Sequence, residues 1–279
     1  MSYINYLDRY EEGFYFAVGG LGDAILLLSS FYPEDPHQNV LFWQAASPRL
    51  LLHEFFECFS ELNSFKVVSA PRDFHIRAEV FGEIATHPKF KGAAHTPILL
   101  DYIREWGRRP MKYRCRLPRR WNELRVMFPA VKTEKNYVGL GCWGSNVNVQ
   151  HKLRRLSAEE FVALTKKVIT QQGIPVIFGS AKDREDFVLP EELQKGVMDL
   201  RGCPLQEAFR WLNTCRKLIS VDTWYLQWAR LVGTSTTVIQ TRYDAPLESI
   251  FGMPFDPSDK IFIEDWGFEI TPLPQLLSG

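Results

Sequence analysis

Apolar residues along this chain come in short bursts separated by longer stretches where they recur at helical spacing, and glycine or proline marks many of the junctions. After Gly13 the run Phe-Tyr-Phe-Ala-Val is unbroken and rich in β-formers, which predicts a buried strand. It passes through Gly19-Gly20-Leu21-Gly22-Asp23 into the apolar segment Ala24 to Phe31, which predicts a helix. Asn39 to Gln44 predicts the next strand, Pro48 to Phe59 a helix, and Phe65 to Ser69 a third strand. Strands that alternate with helices imply a parallel sheet covered by helices.

From Pro71 to Lys135 the periodicity fades. The stretch is rich in Pro, Arg and aromatics, with one predicted helix over Pro97 to Trp106. Alternation then resumes, with strands at Tyr137 to Cys142, Pro175 to Gly179, Val197 to Leu200, Lys217 to Val221 and Thr236 to Gln240. Helices fall between them: Ala158 to Gln172, one near Asp183 to Phe187 or Glu191 to Lys195, Leu205 to Cys215, and Trp224 to Val232. The pattern predicts an α/β protein built as two facing, doubly wound, Rossmann-like halves, residues 1–130 and 131–279, with no short repeat or low-complexity tract.

Composition narrows the class. A chain of 279 residues, 46% hydrophobic and 24% charged, can bury two ordinary cores and is not expected to be disordered. The best apolar run, Ala24 to Phe31, is far too short to span a bilayer, and the first residues show no basic start followed by an apolar core. The expectation is a cytoplasmic protein that is not integral to the membrane, with peripheral membrane contact left open. Five cysteines without C-x-x-C spacing predict core or surface thiols rather than disulfides, and six histidines without paired spacing predict no protein-built metal site. The 33 basic and 33 acidic residues cancel, yet nine Lys or Arg fall between Arg104 and Arg125 against two acidic residues, with Trp106, Tyr113 and Trp121 interleaved.

Candidate chemistry gathers at strand-to-helix junctions. Asp222 and Thr223 stand where a buried strand hands over to a helix, a place whose backbone N–H groups and dipole favour an anion; a simple helix cap is the compatible bland reading. Gly20 and Gly22 let the first turn approach a ligand, but the full dinucleotide spacing is missing and no acidic residue ends a second strand, so NAD is discounted; a Walker loop is absent too. Asp23, in the first turn of the first helix, reads as a cap or as an acid–base group. Lys152 and Arg154 precede the helix opening at Ser157, as a phosphate clamp or a solvated loop, and Ser145 follows the strand ending in Cys142. Trp224 and Trp228, one helical turn apart, read as core. The basic stretch, with Arg108, Arg109, Arg119 and Arg120, has three readings: a solvated connection, a surface for a phosphorylated lipid-sugar acceptor, or a clamp on DNA phosphates.

Three places, Gly20-Leu-Gly-Asp-Ala-Ile-Leu, the run from Val138 through Gly179, and Asp199-Leu-Arg-Gly through Gly233, make the chain resemble the heptosyltransferase-like glycosyltransferases of family 9. The family's last motif runs Asp-Thr-Gly, two residues, His; here Asp222, Thr223 and the terminal Gly233 match, while Trp224 replaces the glycine and Gln227 the histidine. The resemblance implies a two-domain GT-B fold and an inverting, metal-independent sugar transfer from a nucleotide sugar to an acceptor hydroxyl of a lipopolysaccharide-type glycan, with no cofactor. It implies the donor on the second half, the acceptor on the first, and closure of the two on donor binding. It makes Asp23 the general base and assigns Gly20, Gly22, Ser145, Lys152, Arg154, Asp222, Thr223 and Gln227 to the donor and its phosphates. Two alternatives stand beside it: the same chemistry on a hydroxymethylated base in duplex DNA, and a catalytically silent nucleotide-binding module, for which Trp224 and Gln227 speak.

Overall fold

The computed structural model describes residues 14–19, 21, 22, 25, 40–45, 54, 55, 57, 58, 66–69, 88, 90–93, 127–144, 155–221, 223–240 and 268–278. The chain divides into two compact units, Met1–Arg116 with Phe251–Pro254, and Leu117–Ile250 with Phe255–Gly279.

The first unit holds a four-stranded parallel sheet. Its strands are β1 (Phe14–Gly19), β2 (Val40–Ala45), β3 (Lys66–Ser69) and β4 (Phe90–Ala93), in the order β3-β2-β1-β4. The first three fall where the apolar bursts predict them. β4 is a correction: the stretch after Pro71 was read as holding no strand, because Phe-Lys-Gly-Ala has neither alternation nor a β-branched residue. Pairing with the free side of β1, through a register shift between Phe14 and Tyr15, makes this segment a strand. Leu21, Gly22 and Ile25 are helical, so the helix starts earlier than Ala24, and Leu21 and Ile25 are buried. Glu54, Phe55, Glu57 and Cys58 are helical as predicted, with Phe55 buried. The helix expected over 97–106 lies outside the described residues.

The second unit is a six-stranded, all-parallel sheet: β5 (Tyr137–Gly141), β6 (Ile174–Phe178), β7 (Met198–Asp199), β8 (Lys217–Ser220), β9 (Ser235–Gln240) and β10 (Phe268–Pro272). The order is β10-β9-β8-β5-β6-β7. The helices are α1 (Ala158–Thr170), α2 (Ala181–Asp186), α3 (Glu191–Gln194), α4 (Leu205–Thr214), α5 (Trp224–Val232) and α6 (Leu273–Ser278). Both sites offered as alternatives for a helix after β6 are helical, as α2 and α3. β10 and α6 were not anticipated. A strand that ends in proline reads poorly from sequence, but β10 is the edge of the sheet, where a missing N–H costs no ladder bond.

Local chemistry explains the helix boundaries. Ser157 and Glu160 form a reciprocal capping box at the head of α1, Ser157 N–H donating to Glu160 Oε2 at 2.7 Å and Glu160 N–H to Ser157 Oγ at 3.2 Å. The helix stops short of Gln172, which takes a left-handed φ of 59°. α4 buries Leu205, Ala208, Phe209 and Leu212, a helical stripe facing inward. Phe209 meets Trp228 of α5 at 4.1 Å and Phe128 at 5.1 Å, so the segment before β5 packs into this core. The indole of Trp228 is fully buried and donates to Asn213 Oδ1 at 2.9 Å, as its spacing from Trp224 predicted for a core residue.

Candidate functional site

In chain order, the second sheet runs third, second, first, fourth, fifth, sixth strand from its β7 edge. Chain connections therefore leave in opposite directions on either side of β5 and β8, and open parallel sheets take ligands outside the carboxyl ends of strands at such a switch point. The register sets Gly141 beside Ser220, and Val221 N–H donates to the Gly141 carbonyl at 3.0 Å. The two loops that flank the switch point thus open at Cys142 and Val221.

On the β8 side, Thr223 is half-buried at the head of α5, and Leu226 N–H closes the first turn on its carbonyl at 3.1 Å. The Ser220 hydroxyl lies 3.0 Å from the Gly141 carbonyl, 2.7 Å from the Val221 carbonyl and 3.0 Å from the Thr223 hydroxyl. Carbonyls only accept, so the single Ser220 proton goes to one of them, and Thr223 is then the donor to Ser220. An anion at the helix head would draw that Thr223 proton to itself. Gly141 makes the arrangement possible: a Cβ there would stand 2.5 Å from Ser220 Oγ and 3.1 Å from the Tyr225 ring. The Tyr225 phenol is buried, and burial, with the charges of Asp183 and Cys203 adding, pushes its pKa well above the ordinary value against a hydrogen bond from Trp224. It stays neutral at any physiological pH.

On the β5 side, Trp143 forms an antiparallel bridge with Arg155, and Leu156 N–H donates to the Cys142 carbonyl at 3.2 Å. The chain therefore leaves the sheet edge at Cys142–Gly144 and is back at the same place by Arg155. Arg155 Nη2 donates to Asp183 Oδ1 at 3.0 Å. Asp183 also accepts from Ser180 N–H at 2.8 Å and Ser180 Oγ at 2.6 Å. Next to it, Arg201 is almost completely buried and makes four side-chain bonds: it donates to both Asp199 carboxylate oxygens at 2.9 Å, to the Asp183 carbonyl at 2.9 Å and to the Phe187 carbonyl at 2.7 Å. Its guanidinium stands 5.4 Å from the centre of the Trp143 ring, whose other contacts include Phe161 at 4.6 Å.

Of the donor residues expected from the sequence, Thr223 stands just before α5 at the switch point, and Gln227 is buried within that helix. Gly22 is helical in the first unit, just past the end of β1. That end is a switch point as well, because β2 and β4 flank β1. Gly20, Asp23, Ser145, Lys152, Arg154 and Asp222 lie outside the described residues, as do Arg108, Arg109, Arg119 and Arg120. The Arg155–Asp183 and Arg201–Asp199 pairs were missed as site-shaping groups. Ser180-x-x-Asp183 is a capping-box pattern and Asp199-Leu-Arg was on view as a motif, but nothing in their spacing shows that they meet. Cys142 and Cys215 are buried thiols, the latter with its pKa pushed up to about 12 by burial, and Cys58 and Cys203 likewise form no disulfide. Among the described residues no group of three or more His, Cys, Asp or Glu could hold a metal ion, and no helix is long and apolar enough to cross a membrane.

Fold and strand order together define a class: Rossmann-like α/β proteins with an open parallel sheet. Structural neighbours within that class include heptosyltransferases and another glycosyltransferase of family 9. The E. coli heptosyltransferase WaaC with ADP matches 95% of this chain and 95% of its own, at 12% identity and a TM-score of 0.54. E. coli ADP-heptose lipopolysaccharide heptosyltransferase II matches 95% and 94%, at 13% identity and 0.51. The family 9 glycosyltransferase from Veillonella parvula DSM 2008 matches 93% and 87%, at 12% identity and 0.52. At these identities the likeness is one of fold. No protein-family model matches the sequence, and no curated protein matches it.

Proposed function

We propose that the protein is a GT-B glycosyltransferase that moves a sugar from a nucleotide sugar to an acceptor hydroxyl, with inversion and without a metal. The observation that carries this reading is the switch point at β5 and β8, with a helix head and the Thr223 hydroxyl on one side and the tethered Cys142–Gly144 backbone on the other. The near-complete overlap with glycosyltransferase folds supports it. An ADP-linked sugar is the first donor to try, since WaaC carries ADP, and a lipopolysaccharide-type glycan the first acceptor, by analogy with heptosyltransferase II.

In the proposed reaction the acceptor oxygen attacks the anomeric carbon while its proton passes to the Asp23 carboxylate. The bond from that carbon to the diphosphate oxygen breaks on the opposite face, and the nucleoside diphosphate leaves with the electron pair. Its charge is met by the head of α5, by Thr223 and Asp222 N–H groups, and by Lys152 and Arg154, which do the work a metal does elsewhere. Gly20, Gly22, Ser145 and Gln227 complete the proposed set. The reaction belongs to the cytoplasm, where nucleotide sugars are made.

A second reading, a silent nucleotide-binding module, is favoured by one observation. Trp224 opens α5 with its ring 4.0 Å from Tyr225 and 5.5 Å from Phe209, so a bulky side chain occupies the place where glycine would let backbone approach a diphosphate. Thermal stabilisation by ADP, GDP, UDP and their sugars separates the outcomes, because a ligand that binds the native state raises Tm by mass action. A selective shift, followed by sugar transfer that Asp23→Asn abolishes, is the expected result. A shift without transfer favours the silent module, and no shift with any ligand overturns both.

A further inference from the structure

The wall of the switch point on the β5 side is not held by the sheet alone. Gly141 is the last residue of β5, and Cys142, Trp143 and Gly144 run on past the ladder. One backbone ladder contact holds this run, the Trp143–Arg155 bridge with its Leu156 N–H to Cys142 carbonyl bond, and it reaches the run from the strand of chain that returns at Arg155. The position of the wall therefore depends on what holds Arg155.

That anchor is Asp183. Its carboxylate takes Arg155 Nη2 on Oδ1 and the Ser180 N–H and hydroxyl on Oδ2, so both oxygens are engaged and their direction is fixed. Its backbone is fixed in turn by Arg201, which grips the Asp183 carbonyl and is clamped by Asp199. The ion pair is partly buried, with side chains 22% exposed at Arg155 and 8% at Asp183, so solvent screens it less than a surface pair. Asp199 ends β7 and Asp183 follows β6; the chain of contacts runs from the far edge of the sheet, strand by strand, to the wall at β5.

We propose that Asp183 and Arg155 are positioning residues of the ligand site: acting through the Trp143–Arg155 bridge, they hold the Cys142–Gly144 backbone at the distance from the α5 head that a diphosphate requires. This rests on the glycosyltransferase reading above. Neither residue touches the diphosphate through this pair; displacement of the wall by an ångström is enough to lose preorganised contacts.

The test uses the full chain, with ADP, GDP and UDP as probes in thermal-shift titrations and calorimetry. Arg155→Met removes the ion pair at a partly exposed position, and Arg155→Lys restores the charge. Gln194→Ala, which removes the side-chain bond to the Leu189 carbonyl on α3, serves as a comparably mild loss remote from the wall. The expected result is about tenfold weaker binding of the preferred nucleoside diphosphate in Arg155→Met, partial recovery in Arg155→Lys, and unchanged binding in Gln194→Ala, with all four proteins folded. Equal weakening in Arg155→Met and Gln194→Ala means general loosening and overturns the proposal, as does unchanged affinity in Arg155→Met. If the wild-type protein binds none of the three diphosphates, the glycosyltransferase reading falls and takes this proposal with it.

Discussion

The carboxyl edge of the second sheet has two halves built from opposite kinds of chemistry. From β5 to β7 this edge carries full charges, Arg155 after β5, Asp183 after β6, Asp199 at the end of β7 and Arg201 just past it, and they are spent on one another and on backbone carbonyls. Beyond β8 lie neutral hydroxyls, Ser220 and Thr223, at the head of a helix. The charged half is a frame, since a buried guanidinium held by four hydrogen bonds has no second arrangement of similar energy. The hydroxyl half can change partners, because a hydroxyl proton rotates at little cost. Among the described residues of this edge, charge marks rigidity, and the less conspicuous hydroxyls are the part free to change partners.

The comparison breaks most severely if the frame loses its centre. Arg201→Ala takes from Asp199 its closest cation, strands two carbonyls and opens a void against Trp143, and is expected to cost about 3–5 kcal/mol in chemical denaturation. A loss under about 1 kcal/mol would show that the frame is not a stability element. Gly141→Ala strikes the seam between the halves. Its Cβ is driven against Ser220 Oγ and the Tyr225 ring, with an expected cost of about 1–3 kcal/mol and displacement of Thr223 from the helix head, read as lost nucleoside diphosphate binding.

Thr223→Val tests the hydroxyl half alone. Its stability should change by roughly 1 kcal/mol or less while affinity for a nucleoside diphosphate falls; equal affinity in the variant would remove the hydroxyl from the site. The last effect is a change of slope with pH, and the slope is confined to acid. Burial works to raise the Asp199 pKa, but hydrogen bonds and charge from Arg201, with charge from Arg184 adding, hold it below the ordinary carboxylate value. A lowered folded pKa means that the contribution is present above the unfolded value of about 3.9 and is lost as pH falls through the folded one. Asp199→Asn should therefore flatten the rise of stability with pH in that acid window and leave no extra slope near neutrality. An unchanged acid limb in urea melts would show that the pairing is not linked to folding.

Most strands of both sheets were legible because a buried parallel strand is a compact apolar run bounded by turn residues, as in Phe14–Gly19 and Tyr137–Gly141. The capped start of α1 at Ser157 was legible for a similar reason, since a cap is made within a few residues. β4 and β10 were not, because Phe90–Ala93 and Phe268–Pro272 are strands by virtue of their neighbours. In the site, the strand-to-helix junction at Thr223 could be placed from sequence alone, and the assignment of Trp228 to the core followed from spacing. The partners of Arg155 and Arg201 could not.

What the order of residues determined by itself was therefore the local part: which segments are strands and helices, where they are capped, and that a helix head follows β8. Only the tertiary structure decided the order of strands, and with it the switch point, because which edge of β5 receives β8 depends on long-range packing that no local period encodes. It decided the ion pairs too. Arg155 and Asp183 stand 28 residues apart, and the sheet alone brings their crossings to the same edge.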